Sequence, residues 1–317
     1  MGKYLVRRIF AIIFVLWAVA TLTYFTVHVT PGDTATAIII QTQGEEAVNE
    51  ATLAAVREKF DLERPVIVQY FDWLGHIFTG DFGISYKYNL PVLDMLKARL
   101  PNTLALGFLA CAISLLIALP LGVLSALRHN RVFDHLCRLI TLSLASFPGF
   151  WLAIMGIVFF SIRLGVLPTS GMNSPNSIIL PALTLSVGMT ASAMRMMRSS
   201  TLDVLNQDYM IVARAKGLSK REVMMKHGFR NAIPPIITLV GLQIGHILGG
   251  SVIIENIFAW PGVGDLFINA VYSKDLLMME GCVILIAFGY AFINLVVDII
   301  YAFIDPRVKY AEGGRTT

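Results

Sequence analysis

Charge is scarce in this 317-residue sequence, with 15% of residues charged against about a quarter in ordinary soluble domains. Cysteine is scarcer still. The three cysteines, Cys111, Cys137 and Cys282, stand far apart, each in or beside an apolar run. No CxxC or metal-finger spacing occurs, so they read as small core residues. There is no GxxxxGK[ST] stretch, which excludes a phosphate-cradling P-loop and ATP binding by that route. HExxH, GxSxG and paired Cys/His constellations are missing too, and the six histidines are scattered. No catalytic residue, metal ligand or cofactor is therefore assigned to the chain. Basic residues do not cluster on a folded polar domain, so nucleic acid is not an expected partner.

Apolar residues are abundant. They make up 56% of the chain, with a mean hydropathy of +0.69. They recur in runs of about twenty, the length that crosses a bilayer. The expected class is an all-α polytopic membrane protein with six transmembrane helices, at 9–29, 104–127, 136–162, 178–194, 233–257 and 281–304. Lys3, Arg7 and Arg8 before the first run, with Ala35-Thr36-Ala37 downstream, imitate a signal peptide. The run exceeds the ~7–15 residues of a signal core, so it reads as an uncleaved span. With the N-terminus inside, 17 Lys and Arg fall on cytoplasmic segments and 8 outside, while Asp and Glu divide 6 and 13. That asymmetry orients the chain N-in and C-in.

The expected division is an N-terminal span (1–30), an external helical segment (31–101) and a five-helix core (102–317) with a cytoplasmic loop near 205–232. In the external segment Leu53, Val56 and Phe60 have helical spacing. Pro65 can start a helix lined on one face by Val66, Tyr70, Trp73 and Ile77, with Tyr70 and Trp73 suited to a membrane–water interface. Gly80-Asp81-Phe82-Gly83 reads as a turn, followed by a short helix at 91–100. This segment is either a cap that meets a delivered ligand or packing over the spans.

The basic stretch 208–235 carries Arg214, Lys216, Lys220, Arg221, Lys226 and Arg230 against Asp208 and Glu222. Ala213 and Gly217 are four apart, so on a helix they share one nearly bare face that a partner can approach closely. The alternative is a charged connector that merely obeys the positive-inside rule. The fourth span is short and carries Pro181 and Gly188. The fifth places Gly241, Gly245 and Gly249 on one edge, which suits close helix contact in lipid. Gln243 and His246 sit near its middle and Glu255 near its outer end, depths at which polar groups usually face a bundle interior or a water path. His246 is either a metal ligand or a hydrogen-bonded packing residue. After Glu255 comes a rigid outer turn with an interfacial Trp260. In the sixth span Asn294 and Asp298 share a face. A self-sufficient channel or carrier remains an alternative to the membrane subunit of an ATP-driven machine. A carrier should show several intramembrane acids or broken helices at matched positions, and the sequence displays neither.

The chain resembles the permease subunits of ATP-binding-cassette importers for oligopeptides, dipeptides and nickel. The resemblance rests on Arg7-Arg8, Pro31-Gly32-Asp33, Gly80-Asp81-Phe82-Gly83-Ile84-Ser85 and Pro101-Asn102-Thr103-Leu104. Phe150-Trp151, Leu167-Pro168, Arg198-Ser199-Ser200, Ala213-Arg214-Ala215-Lys216-Gly217, Arg230-Asn231-Ala232, the turn from Glu255 to Gly264, and Asp305-Pro306-Arg307 extend it over nearly the whole length. It implies the fold of a type I importer permease in the inner membrane. It also implies a coupling loop (Tyr209, Ala213, Arg214, Ala215, Lys216, Gly217) that docks on an ATPase subunit. The general pattern of that loop is Glu-Ala-Ala, three residues, then Gly. Ile211, Val212 and Ala213 stand at its first positions, so only Ala213 and Gly217 match. The implied partners are a second similar permease, two ATPase subunits that bind ATP and Mg, an external solute-binding protein and membrane lipid. The implied cargo is a peptide or nickel, and the Ile-Ile-Glu-Asn-Ile-Phe-Ala-Trp-Pro-Gly-Val-Gly turn leans towards nickel or a nickel chelate.

Overall fold

A computed structural model describes residues 2–29, 34–59, 63–215, 217, 220–224 and 228–304. Among them there is no strand, only an isolated antiparallel bridge between Ile84 and Pro91. The helices are α1 (Gly2–Val29), α2 (Thr34–Gln43), α3 (Glu50–Lys59), α4 (Val66–Phe78), α5 (Val92–Leu127), α6 (Val132–Ser146), α7 (Gly149–Gly156) and α8 (Ile179–Leu205). Next come α9 (Asp208–Ala215), α10 (Lys220–Val223), α11 (Phe229–Ala232), α12 (Pro234–Gly250), α13 (Val252–Ile257), α14 (Val263–Tyr272) and α15 (Leu276–Ile304). Four helical stretches are long and apolar enough to cross a membrane alone, and six spans result when two bent pairs each count as one.

The bent pairs correct the expectation of unbroken third and fifth spans. The third is α6 followed by α7 and a wide π-type turn at Ile157–Arg163, with a bend of 98°. Pro148 causes the break. It has no N–H to donate and drives the preceding residue out of the helical region, and Phe147 is accordingly extended at φ −81°, ψ 138°. Phe147 and Trp151 stack across the bend at 4.5 Å. The fifth span bends by 44° between Pro234–Gly245 and Ile247–Ile257. The fourth is not short, because Pro181 falls in the first turn of α8, where no intrahelical N–H bond is lost. A capping box between Ser174 and Ser177 starts the turn that leads into it.

The chain divides into two units, Met1–Thr103 with Pro261–Gly289, and Leu104–Trp260 with Tyr290–Thr317. The first unit thus takes in residues 261–289 together with the external segment. In the first unit Val92 and Leu96 pack with Val263, Leu266, Ala270, Met278 and Cys282. A second cluster joins Ala35, Ile38 and Ile39 to Val56, with Leu53 against it. Phe60 lies outside the described residues. The 80–83 turn has Gly80 and Gly83 at φ +82° and +76°, and the Asp81 carboxylate accepts from the Gly83 amide at 2.9 Å. Gly83 is also a close approach, since a Cβ there would stand 2.9 Å from Leu277 Cδ1. In the second unit the apolar clusters combine α5, α8 and α12: Met197 with Ala232 and Ile236, and Ala118 with Ala193 and Met194. A Cβ on Gly122 would stand 2.7 Å from Met197 Cβ, so α5 and α8 meet nearly backbone to backbone.

Candidate functional site

The expected coupling stretch folds as α9, with Asp208 in the first turn, where a carboxylate favours the positive end of the helix dipole. Met210 and Ala213 are buried against Val223, with Val204 and Leu205 beside them. Tyr209 and Val212, three apart, are exposed at 41% and 54%, and Ala215 is exposed as well. The Tyr209 hydroxyl accepts a 3.1 Å hydrogen bond from Asn231 Nδ2. The shared Ala213–Gly217 face is not formed. The described helix runs to Ala215, Gly217 lies at φ +82° in the left-handed region and so does not continue it, and Ala213 is buried. Glycine in that conformation is the usual residue just past a helix C-terminus. The open apolar face of α9 is therefore Tyr209–Val212. Lys216 and the side chain of Arg214 lie outside the described residues.

In α12 the three glycines have different surroundings. A Cβ on Gly241 would stand 2.5 Å from Val297 Cγ2, and one on Gly245 3.2 Å from Tyr290 Cε2 and 3.6 Å from Asn294 Oδ1. Around Gly249 no atom of the described residues lies within 4 Å of an added Cβ. The small-residue edge thus meets α15 over two of its three steps. On another side of α12, Ile247 fills the space left by Gly107 of α5. Gln243 Nε2 donates to the Met189 carbonyl of α8 at 3.3 Å, while its buried Oε1 has no hydrogen-bond partner among the described residues. The His246 side chain lies outside the described residues, so neither of its two readings meets a contact.

Glu255 in α13 is fully buried and accepts a 2.9 Å hydrogen bond from Ser251 Oγ. Its carbonyl accepts from the Trp260 amide at 2.8 Å, and Ala259 between them has φ +46°. Trp260 does not sit at an interface as expected. It is buried among Leu106, Ala110 and Ala182, because the tight turn after α13 folds the indole back onto α5 and α8.

Two of the motifs, Pro101–Leu104 and the turn from Glu255 to Gly264, pair with one another in the first unit. Asn102 Nδ2 donates to the Pro261 carbonyl and Thr103 Oγ1 accepts from the Val263 amide, both at 2.8 Å. Ser85 Oγ donates to Asp275 at 2.5 Å, with both residues buried. Burial, followed by the nearby carboxylates of Glu280 and Asp275, raises the Tyr86 phenol above its ordinary pKa, so it stays a neutral hydroxyl at physiological pH.

Sequence reasoning missed a polar clasp in the second unit. Arg198 of α8 grips Asp134 of α6 with two bonds, Nε to Oδ1 and Nη2 to Oδ2, each 2.7 Å. Ser125 Oγ at the end of α5 donates to Oδ1 at 2.5 Å, and the Asn130 amide donates to Oδ2 at 3.0 Å. Arg198 Nη2 also lies 3.0 Å from His129 Nδ1. Asp134 is fully buried. Such bidentate pairs fix geometry as well as charge. The one signal in the sequence was Arg198 within a motif, and the acid that meets it stands 64 positions away.

Apolar helices long enough to span a membrane, two broken spans and a short helix that shows an apolar face fit a membrane translocation subunit. The chain belongs to the family described as binding-protein-dependent transport system inner membrane components. Residues 118–310 match that family, and residues 1–107 match the N-terminal part of such components. It is 38% identical over 310 residues to the glutathione transport system permease protein GsiC of Escherichia coli (strain K12), and equally to that of Salmonella typhimurium (strain LT2). In each case 98% of this chain and all of the relative are covered. Among solved structures, an inward-facing conformation of the MetNI methionine ABC transporter superposes with a TM-score of 0.56. The two are 20% identical, over 67% of this chain and 96% of that one, a likeness that establishes the fold. The chain is an inner-membrane permease subunit of an ABC importer rather than an enzyme in itself. The broken helices, expected above only of a carrier, are part of this permease.

Proposed function

We propose that the chain forms half of the translocation path for a short peptide and couples that path to ATPase subunits through α9. The second permease, the two ATPases that bind ATP and Mg, and an external solute-binding protein complete the assembly. The observation that carries the reading is the two-sided character of α9. Met210 and Ala213 close one side against Val223, while Tyr209 and Val212 leave an apolar side open on a cytoplasmic segment. An apolar, tyrosine-bearing patch next to basic residues has the composition of a docking surface. A peptide is preferred over nickel as cargo because the relatives named above are glutathione permeases.

Two measurements on the complete transporter test this. Val212→Asp should abolish solute-stimulated ATP hydrolysis and release the ATPases during purification, while pairing with the second permease persists. Retention of both activity and ATPases would remove α9 from the coupling role. Uptake of a labelled glutathione-like tripeptide should compete with other short peptides and ignore Ni²⁺. Uptake of Ni²⁺ that peptides do not inhibit would restore the nickel reading.

A further inference from the structure

The external helix α4 has three faces. Counting roughly 100° per residue, Ile67, Phe71 and Phe78 fall within roughly 40° of one another, and Gln69, Asp72 and His76 within roughly 60° on a stripe roughly 150° away. Tyr70, Trp73 and Ile77 lie between the two. The first face is open, with Ile67, Phe71 and Phe78 exposed at 63%, 64% and 76%. The second is polar, and its Asp72 pairs with Arg64 at 2.8 Å. The third packs on α1. Tyr70 shares a 2.7 Å hydrogen bond with Thr21 Oγ1, its ring lies 5.4 Å from Tyr24 and 5.5 Å from Phe25, and Trp73 lies 4.9 Å from Tyr24.

These contacts set the depth of α4. Thr21 and Tyr24 belong to the membrane-crossing part of α1, Val6–Thr26. Thr21 lies five residues before its outer limit, or about 7 Å along the helix axis at 1.5 Å per residue. Among the described side chains these contacts on α1 fall within Thr21–Phe25. Leu22 and Phe25 of α1 are themselves exposed, at 67% and 37%, so the lipid-facing surface of the span continues onto α4. Val68 flanks the open face with more exposed apolar surface, where a protein-docking patch would have a polar rim.

We propose that α4 lies in the outer leaflet as an interfacial helix, with Ile67, Phe71 and Phe78 in the acyl chains and Gln69, Asp72 and His76 towards water. This is the placement of amphipathic helices that lie in the membrane plane with their apolar face some 5–10 Å deep. The external segment is thereby held at membrane level by lipid as well as by α1.

The test uses the full chain, assembled with its transport partners in vesicles of phosphatidylethanolamine and phosphatidylglycerol. Cys111, Cys137 and Cys282 are replaced by alanine, and single nitroxide labels are placed through Ile67→Cys, Gln69→Cys, Phe71→Cys, His76→Cys and Phe78→Cys. Labels at 67, 71 and 78 should be relaxed by oxygen, which concentrates in lipid, and those at 69 and 76 by water-soluble chromium oxalate. The pattern should follow a period of about 3.6 residues. Relaxation of the 71 label by chromium oxalate would place α4 in water. Protection of that label from both reagents would mean that a protein covers the face. Either outcome overturns the proposal. Should the cysteine-free chain fail to assemble, Phe71→Trp and His76→Trp in the unaltered background serve instead. The tryptophan fluorescence added at 71 should be quenched by lipids brominated on their acyl chains and that at 76 spared, and equal quenching at the two sites overturns the proposal.

Discussion

The Asp134 clasp and α9 both belong to the cytoplasmic half of the second unit, yet they use their chemistry in opposite ways. At the clasp both carboxylate oxygens are taken up within the chain, by the guanidinium, the Ser125 hydroxyl and the Asn130 amide. In α9 only the inward side is satisfied, by apolar packing, and Tyr209 and Val212 face outward. A group whose partners are all internal can only hold the fold. A surface left apolar and open in water is costly unless something docks there. Damage to the clasp should therefore reach everything the subunit does, and damage to α9 only its link to ATP hydrolysis.

The largest effect should come from breaking the clasp. Arg198→Met leaves a buried carboxylate without its counter-charge, a change that typically costs about 3–5 kcal/mol. The expected outcome is poor insertion or a sharply lower melting temperature of the purified subunit in detergent, with assembly and transport lost together. Arg198→Lys keeps the charge but not the fork that makes two parallel bonds, and should recover only part of the stability. If Arg198→Met melts like wild type and loses only ATPase stimulation, the clasp is part of the coupling machinery and the contrast with α9 fails.

Much of this was legible in the sequence, and the misses share a cause. Hydropathy located all six spans, because a twenty-residue apolar run is a one-dimensional signal. It could not see direction. Pro148 sits within an apolar stretch that reads as continuous, yet it turns the chain by 98°. Trp260 was read as interfacial from residue type, but its burial depends on a turn that involves the positive φ of Ala259. The four-residue spacing of Ala213 and Gly217 implied a shared face only on the assumption of a continuing helix, and Gly217 itself is the residue that suits its end. The Asp134–Arg198 pair spans 64 positions, and no local pattern announces it. Gly241 and Gly245 were legible as a packing edge from their spacing, but only the neighbours in α15 distinguish them from Gly249.

That distinction gives an intermediate effect. Gly241→Ala puts a methyl 2.5 Å from Val297 Cγ2, so one helix must move, and overpacking of this kind costs about 1–3 kcal/mol. Gly249→Ala enters open space and should be neutral or mildly stabilising, since alanine favours the helix. Gly245→Leu should resemble Gly241→Ala, because its longer side chain must displace the Tyr290 ring. Thermal melts of the three variants, together with recovery of the permease pair, rank them. Equal tolerance at 241 and 249 would mean that the edge is not a tight contact.

The smallest effect, and the sharpest probe of α9, concerns Gly217. Its backbone is left-handed at φ +82°, and no atom of the described residues lies within 4 Å of an added Cβ, so a side chain there meets strain in its own backbone. For an L-residue that strain is worth about 1–2 kcal/mol. Gly217→Ala should fray the end of α9 and weaken ATPase retention by roughly five- to thirtyfold, at 1.4 kcal/mol per tenfold. Asparagine tolerates the left-handed region better than alanine, so Gly217→Asn should recover most of that loss although its side chain is larger. Gly217→Trp then separates backbone from volume. If the ATPase also packs against this point, the indole should cost a further 1–3 kcal/mol or so by overpacking, while Lys216→Ala, which removes one charge of the loop, should change coupling by no more than about 1 kcal/mol, the worth of a solvent-exposed ion pair. Co-purification of the ATPases and solute-stimulated hydrolysis, read on the assembled transporter, give the order. A loss that grows with side-chain size from alanine through asparagine to tryptophan would assign Gly217 to the docking contact itself, whereas asparagine above alanine assigns it to the helix end that presents Tyr209 and Val212.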